Sequence, residues 1–525
     1  MFARAQVTND HTSPPHCTPT TNPLLCGNKT PPKGILLSLV STASEAIDDA
    51  GFAPKENAVS VVWKLAWPAV ALNSLQVINQ LLDRGFIGHL PAAALTAHGG
   101  AINVMFLMFS LAMAVATGAT ALVSRAFGAE NPAEYRLASD QSIRIAILSG
   151  FIMAGLTALT ASAAAHVVLP ADDKESIHLM TRFVLVYSTC LPPIYAIQSL
   201  AGSLRGIGDT KSPMYISGLQ ILIHMTLNCL LIFPTRHVQL FGSGAVLVLP
   251  GAGLGLVGAA TSLSISAWIS ATIYMIFLKR TPLGGVSGFR LPEVHWFSRV
   301  MKIAVPAALM ATLRVLSLTV FTIILAMVPG ASVAIGSMST GFAIESVMFM
   351  PSFGLSVAAG ALVGQSLGMR RPDRAERLGW IAAHHGAMVT LTLAVIIFLG
   401  AHNIATVLLG DKPEMIAESV RLIRYLCTTE ALFAYGMVIF GAMQGAGDTT
   451  RPMWVSIFAL WGVRVPVAFI LALPSGFHVT PWLTVPIGMG LGANGAWIAM
   501  AATQGLQGVL ALILFKQGAW KTKKV

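Results

Sequence analysis

Three carboxylates sit where carboxylates are expensive. Of the 22 acidic residues, 19 fall in the tail, the loops or the ends of long apolar runs, and Asp83, Glu345 and Glu430 sit within them. A charge at the centre of a bilayer costs at least ~2.5–3.5 kcal/mol on insertion scales, so each acid there needs a function or a partner. Asp83 has company. On a helical wheel Asn73, Gln76, Asn79, Gln80 and Asp83 share an arc of about 120°. A second polar stripe, Ser217, Gln220, His224 and Asn228, runs at helical spacings of three, four and four. Two such stripes in apolar helices must face an interior or a wet cavity, and we expect them to face each other. A carboxyl, an imidazole and several amides together can take up and release a proton or a small cation.

Glu345 and Glu430 offer a second locus, with Arg314 as the third ionisable candidate for a substrate cavity. The competing structural reading pairs Arg314 with Glu345 or Glu430 as buried counter-charges. Asp140 precedes Arg144 by one turn, the ordinary helical ion-pair spacing. Met105, Met108, Met113, Met348 and Met350 fit either an adaptable lining or plain packing. Two GxGxxG strings, at Gly253–Gly258 and Gly490–Gly495, fit a nucleotide fingerprint that requires a preceding strand and a βαβ unit; here each opens a membrane helix, once per half, and close helix packing explains both. No GxxxxGK[ST] loop or HExxH string occurs, His384 and His385 stand alone, and the five cysteines are scattered. We expect no enzyme, no metal and no bound cofactor.

The elements that hold these residues follow from composition. The 525 residues are 55% hydrophobic and 10% charged, with mean hydropathy +0.71. That excludes a disordered chain, a coiled coil or an ordinary soluble enzyme. Twelve apolar runs are long enough to cross a bilayer: 61–88, 97–124, 137–168, 178–203, 213–233, 254–278, 300–328, 332–366, 378–409, 418–443, 453–473 and 491–515. They are too long and too evenly apolar for barrel strands. The fold class is therefore all-α integral membrane. Lys and Arg outnumber acids 33 to 22. They concentrate in alternate breaks (Lys279, Arg280, Arg290; Arg370, Arg371, Arg374) and at the C-terminus, while the other breaks hold Asp172, Asp173, Glu175, Asp411 and Glu414. By the positive-inside rule both termini are cytosolic, and the basic excess calls for no nucleic acid.

The chain also repeats itself at an offset of about 238 residues. Lys64-Leu-Ala-Trp-Pro68 matches Lys302-Ile-Ala-Val-Pro306, and Arg205-Gly-Ile-Gly-Asp-Thr-Lys-Ser-Pro-Met214 matches Gln444-Gly-Ala-Gly-Asp-Thr-Thr-Arg-Pro-Met453. Six spans per half put both halves in the membrane in one direction, a parallel repeat. The expected organisation is a disordered cytosolic tail over 1–59, with one surface helical turn at Gly34–Val40. An N-terminal lobe covers 60–280, a linker 281–299, a C-terminal lobe 300–517 and a basic tail 518–525.

Over roughly residues 60–517 these motifs resemble the multidrug and toxic compound extrusion (MATE) family. The resemblance rests on Pro68 with Asp83-Arg-Gly-Phe-Ile-Gly88, the paired GDT loops, Gly364-Gln-Ser-Leu-Gly368 and Arg464-Val-Pro466. It implies two six-helix bundles forming a V and antiport of organic cations against protons or sodium. Asp83, Gln76, Asn79, Gln80, His224 and Asn228 would form the coupling site, with Pro68 as a bend in the first helix. Two departures stand out. Asn228 replaces a second Asp common in the proton-coupled branch, and Arg314 takes a seventh-span position where other members carry an acid. A single acid among amides favours protons over sodium. The expected protein is a monomeric exporter of small organic cations or drugs in the bacterial inner membrane, touching only lipid and substrate. The alternative is a lipid-linked saccharide flippase of the broader superfamily, against which a largely acidic or neutral cavity argues.

Overall fold

The computed structural model describes residues 57–525, apart from 240–245, 287, 289, 481–482 and 485–486. The expectations for residues 1–56, including the turn at 34–40, lie outside the described residues.

Within the described residues, eleven helices are long and apolar enough to cross a membrane, and one bent pair completes twelve. The first half comprises α1 (Ala58–Ile87), α2 (Ala92–Gly128), α3 (Pro132–Val168), α4 (Lys174–Ser188), α5 (Leu191–Gly206), α6 (Lys211–Leu231) and α7 (Gly255–Leu278). The second comprises α8 (Val294–Ala326), α9 (Ala331–Gly368), α10 (Pro372–Leu409), α11 (Pro413–Gly445), α12 (Thr450–Ile457), α13 (Val465–Ala472) and α14 (Ala493–Gln517).

Local chemistry explains the breaks and the boundaries. The fourth apolar run is two helices, α4 and α5, meeting at 47°. Pro192 and Pro193 open α5, and without amide hydrogens they cannot continue α4. The eleventh run changes pitch instead. Between α12 and α13 the backbone forms a π-helical stretch, Phe458–Arg464. Pro466 cannot donate to the carbonyl one turn earlier, and the loosened turn widens. Helices α3, α10 and α11 begin five or six residues before their apolar runs, each with proline in the first turn, where its fixed φ suits a helix start. These polar turns extend beyond the hydrocarbon. Asn57 caps α1 and Asp173 caps α4 through side-chain bonds to Val59 and Ser176. The side chain and then the amide of Ser176 hold the half-buried Asp173 carboxyl below its ordinary range.

Two strand pairs were not anticipated: β1 (Pro234–Gln239) with β2 (Val246–Ala252), and β3 (His478–Thr480) with β4 (Leu483–Thr484), both antiparallel. They occupy equivalent positions in the two halves, between the fifth and sixth spans. The GxGxxG strings follow these hairpins. A Cβ on Gly258 would meet the Leu231 carbonyl at 2.5 Å and one on Gly495 the Leu471 carbonyl carbon at 2.4 Å, so close helix approach accounts for both motifs.

The expected linker needs correction, because Val294 to Arg299 already form the first turns of α8. Trp296, Val300, Ile303 and Ala304 are buried with the N-terminal half. Reciprocally, Val61, Val62, Leu65 and Ala66 at the start of α1 are buried with α9, α10 and α11 of the other half. Each half lends the opening turns of its first helix to the core of the other. The basic tail is structured: Ala519–Thr522 form a 3-10 turn, Trp520 is fully buried and stacked on Phe515, and Lys521 bonds Glu376 at 2.6 Å.

The halves meet along a seam at the end of the bundle where α1 begins and α14 ends. Here α2 crosses α9 with almost no intervening side chains. A Cβ on Gly128 would lie 2.0 Å from the Gln365 carbonyl oxygen, one on Gly368 2.2 Å from the Arg125 carbonyl oxygen, and one on Gly364 2.0 Å from Ser124 Oγ. Backbone contact this close needs glycine. Across the seam Arg125 Nη2 donates to the Ala446 carbonyl at 3.0 Å, and Gln365 Nε2 to the Gly206 carbonyl at 2.9 Å.

Candidate functional site

The stripes on α1 and α6 meet. Asn228 Nδ2 donates to Asp83 Oδ1 at 2.6 Å, and Asn228 Oδ1 accepts from Ser262 on α7. His224 Nδ1 lies 3.1 Å from Asn79 Oδ1, and its Nε2 lies 3.7 Å from Asp83 Oδ1. The pairing of Nδ1 with Asn79 orients the ring so that Nε2 faces Asp83. The two titratable groups are thus adjacent, and each is oriented by an amide. Asn228 is fully buried and His224 nearly so, whereas Asp83 remains a quarter exposed at its side chain. Asp83 forms no ion pair with Arg84 within 4 Å among the described residues.

This cluster forms one wall of a cavity of about 330 Å³. Gln76, Asn79, Gln80 and Asp83 of α1 and Ser217, Gln220 and His224 of α6 line that wall. Met105, Phe106, Phe109 and Met113 of α2, with Tyr187 and Gln198, add to the lining, Phe353 and Val357 reach in from α9, and Arg84, His98 and Arg205 bring basic groups to it. Polar side chains on one wall facing aromatic and thioether side chains suit a medium-sized organic molecule. Of the five methionines singled out by sequence, Met105 and Met113 line the cavity, while Met108 and Met348 are buried in packed cores. Pro68 lies inside α1, which runs through it unbroken.

The acids of the second half are elsewhere. Glu345, Glu430 and Arg314 do not line this cavity. Gln504 of α14 donates to Glu345 Oε1 at 2.6 Å, and Arg464 and Arg314 lie within electrostatic reach of that carboxylate. Arg464 Nε donates to Thr503 Oγ1 at 2.9 Å, presented by the π-helical stretch that it ends. The expected ion pair of Arg314 with Glu345 or Glu430 is not made within 4 Å among the described residues, because Gln504 takes the Glu345 oxygen instead. Both Glu430 oxygens are buried without a hydrogen-bond partner among the described residues. Glu345→Gln removes the charge that balances Arg314 and Arg464. It should lower thermal stability by about 1–3 kcal/mol with little change in transport per folded molecule, and Arg314→Gln in the same chain should recover part of the loss. Thermal unfolding of purified variants beside vesicle transport checks this. Undiminished stability with lost transport would place Glu345 in the transport path.

Asp140 and Arg144 form the expected ion pair at 2.9 Å. Asp209 accepts from the Ser212 amide at 2.9 Å and Asp448 from Arg451 Nη1 at 2.7 Å, which makes the GDT loops turn-closing devices. Burial pushes the Asp209 carboxyl above its ordinary value, and the hydrogen bonds from Ser212 oppose that shift.

Sequence reasoning passed over Phe106, Phe109, Phe353, Gln198 and Arg205 in the lining. Aromatic residues in apolar helices carry no periodic signal. Arg205 stands out in the sequence only as the first residue of the repeated GDT motif.

The MatE family model matches twice, over residues 68–230 and 306–470. A probable multidrug resistance protein NorM of Thermotoga maritima is 28% identical over 482 residues, covering 90% of this chain and 96% of that protein. A probable multidrug resistance protein YoeA of Bacillus subtilis is 23% identical, with 87% and 93% covered. The outward-facing structure of a multidrug resistance MATE family transporter superposes with a TM-score of 0.76 at 18% identity, over 89% of this chain and 98% of that one. Two copies of one family model, aligned on the internal repeat and covering more than half the sequence, place this chain in the MATE family of efflux transporters.

Proposed function

We propose that this transporter is a secondary antiporter of a bacterial cytoplasmic membrane, exporting organic, mostly cationic compounds in exchange for protons, with both termini cytosolic. The observation that carries the coupling is the contact of Asp83 with Asn228 and His224 on the cavity wall. An ionised Asp83 attracts a cationic compound into the cavity and a protonated one does not, so proton and compound compete for one charge. Protonation also removes the cost of the charge in hydrocarbon and lets the stripes approach, with Pro68 permitting α1 to bend. The glycine seam is closed at the end where α1 begins and α14 ends, which under the positive-inside orientation supports an outward-open reading of this conformation. Alternating access then requires the seam to part while the far end closes.

A proton is preferred to sodium because sodium needs several hard oxygen ligands. The N-terminal cluster offers one carboxylate with amides and an imidazole, and no group of three acid, histidine or cysteine side chains gathers among the described residues. In proteoliposomes, a pH gradient alone should drive accumulation of an organic cation in inverted vesicles. Accumulation on a sodium gradient at clamped pH, without response to a pH gradient, overturns the proton assignment.

A further inference from the structure

The segment after α14 touches both halves. Its first turn is anchored in the C-terminal half. Trp520 is fully buried against Phe515, its Nε1 donates to the Phe515 carbonyl at 3.0 Å, and Lys521 bonds Glu376 on α10. Lys523 is then extended, and Val525 packs against the core of the N-terminal half. Arg299 holds it there. Its Nη2 donates to the Val525 carbonyl at 3.1 Å and to Glu134 Oε1 of α3 at 3.2 Å, while the guanidinium lies 4.4 Å over the Trp296 ring. Trp296 and Arg299 belong to the opening turns of α8, the turns lent to the N-terminal half.

The seat of Val525 has a second wall. Gly447 of the second GDT loop has a φ of +82°, and a Cβ there would lie 2.2 Å from Val525 Cγ2. The residue before it, Ala446, gives its carbonyl to Arg125 across the seam. Val525 therefore packs against the same loop that α2 grips. Beside the seam, a slot of about 80 Å³ opens between the halves, with Thr117, Arg205, Ser356 and Gln444 among its walls.

We propose that residues 519–525 form a strap that holds the seam shut, and that Val525 must leave its seat before the seam parts. This rests on the reading of the glycine seam as a closing surface in alternating access. The anchor is firmer than the clasp. Trp520 is fully buried, whereas Val525 is only partly buried and is held through one carbonyl. Five residues of chain reach at most about 18 Å, so when the halves separate the clasp releases and the anchor stays. The seated strap adds its binding free energy to the closed state alone, and so sets how often the seam opens.

Thr117→Cys, on a background with the native cysteines replaced by serine, reports opening through labelling by an impermeant maleimide from the side of the termini. Deleting residues 523–525 keeps the anchor and removes the clasp. It should raise the labelling rate roughly three- to tenfold. Val525→Lys, which sets a second cation beside Arg299 and against the apolar core, should do the same in the undeleted chain. Coupling is reciprocal, so an opened seam must release the strap. Val525→Cys as the labelled site should therefore react at least threefold faster when Gly128→Leu is added. Unchanged Thr117→Cys labelling in both tail variants, or Val525→Cys labelling that ignores Gly128→Leu, overturns the strap. If the deletion does not fold, Val525→Lys and Val525→Cys decide. If Gly128→Leu itself leaves Thr117→Cys labelling unchanged, the seam is not the closing surface, and the strap falls with that reading.

Discussion

Asp83→Asn should abolish gradient-driven efflux and leave the protein folded. The amide keeps an oxygen for Asn228 Nδ2 to donate to, so the 2.6 Å contact between α1 and α6 survives with the loss of its charge-assisted part, about 1 kcal/mol. What disappears is the ability to alternate between charged and neutral. Efflux of an organic cation from energised vesicles should fall to the level of empty vesicles, while the unfolding temperature shifts by only a few degrees. His224→Ala acts more mildly. The imidazole sits 3.7 Å from Asp83 and is fixed by Asn79, so its removal should displace the pH dependence of transport without stopping it. Full gradient-driven efflux by Asp83→Asn at normal expression would remove the coupling role from this cluster.

Gly128→Leu forces the seam apart. A Cβ at that position lies 2.0 Å from the Gln365 backbone oxygen, and backbone cannot move aside as a side chain can. Overpacking of this kind costs about 1–3 kcal/mol, a roughly five- to 150-fold shift of a two-state equilibrium away from the closed seam. A cysteine at Thr117 in the slot, on a background with the native cysteines replaced by serine, reports the change. Labelling by an impermeant maleimide from the side of the termini should rise at least fivefold in Gly128→Leu, and to a lesser degree in Gly128→Ala. Transport should fall in both, because one of the two required states is disfavoured. Unchanged labelling with intact transport would mean that the glycine crossing is not the closing surface.

Most of the architecture was legible in the chain. Apolar runs of bilayer length, alternating basic and acidic breaks and the repeat of the GDT loops determine an all-α membrane protein of two parallel halves, because hydrocarbon admits only helices that satisfy their own backbone. The stripes were legible for the same reason. An amide or acid every three or four residues in an apolar helix can only face inward, and Asp83, Asn79, His224 and Asn228 do meet. Registration between helices was not legible, because it depends on side-chain volumes distant in sequence. Hence the helical spacing of Met108 and Met113 could not separate a core residue from a lining one. Nor could charge alone predict that Gln504, rather than Arg314, would take the Glu345 oxygen. The exchange of opening turns between halves, with Val61 in one core and Val300 in the other, follows from how α1 and α8 cross the seam. The same crossing brings Arg205 and Gln444, some 239 residues apart in the chain, to the walls of one slot. The sequence by itself determined which helices exist and which faces are polar, since both are local consequences of solvation. Only the tertiary structure decided which polar groups find partners and which, like the guanidinium of Arg205, are left facing a cavity.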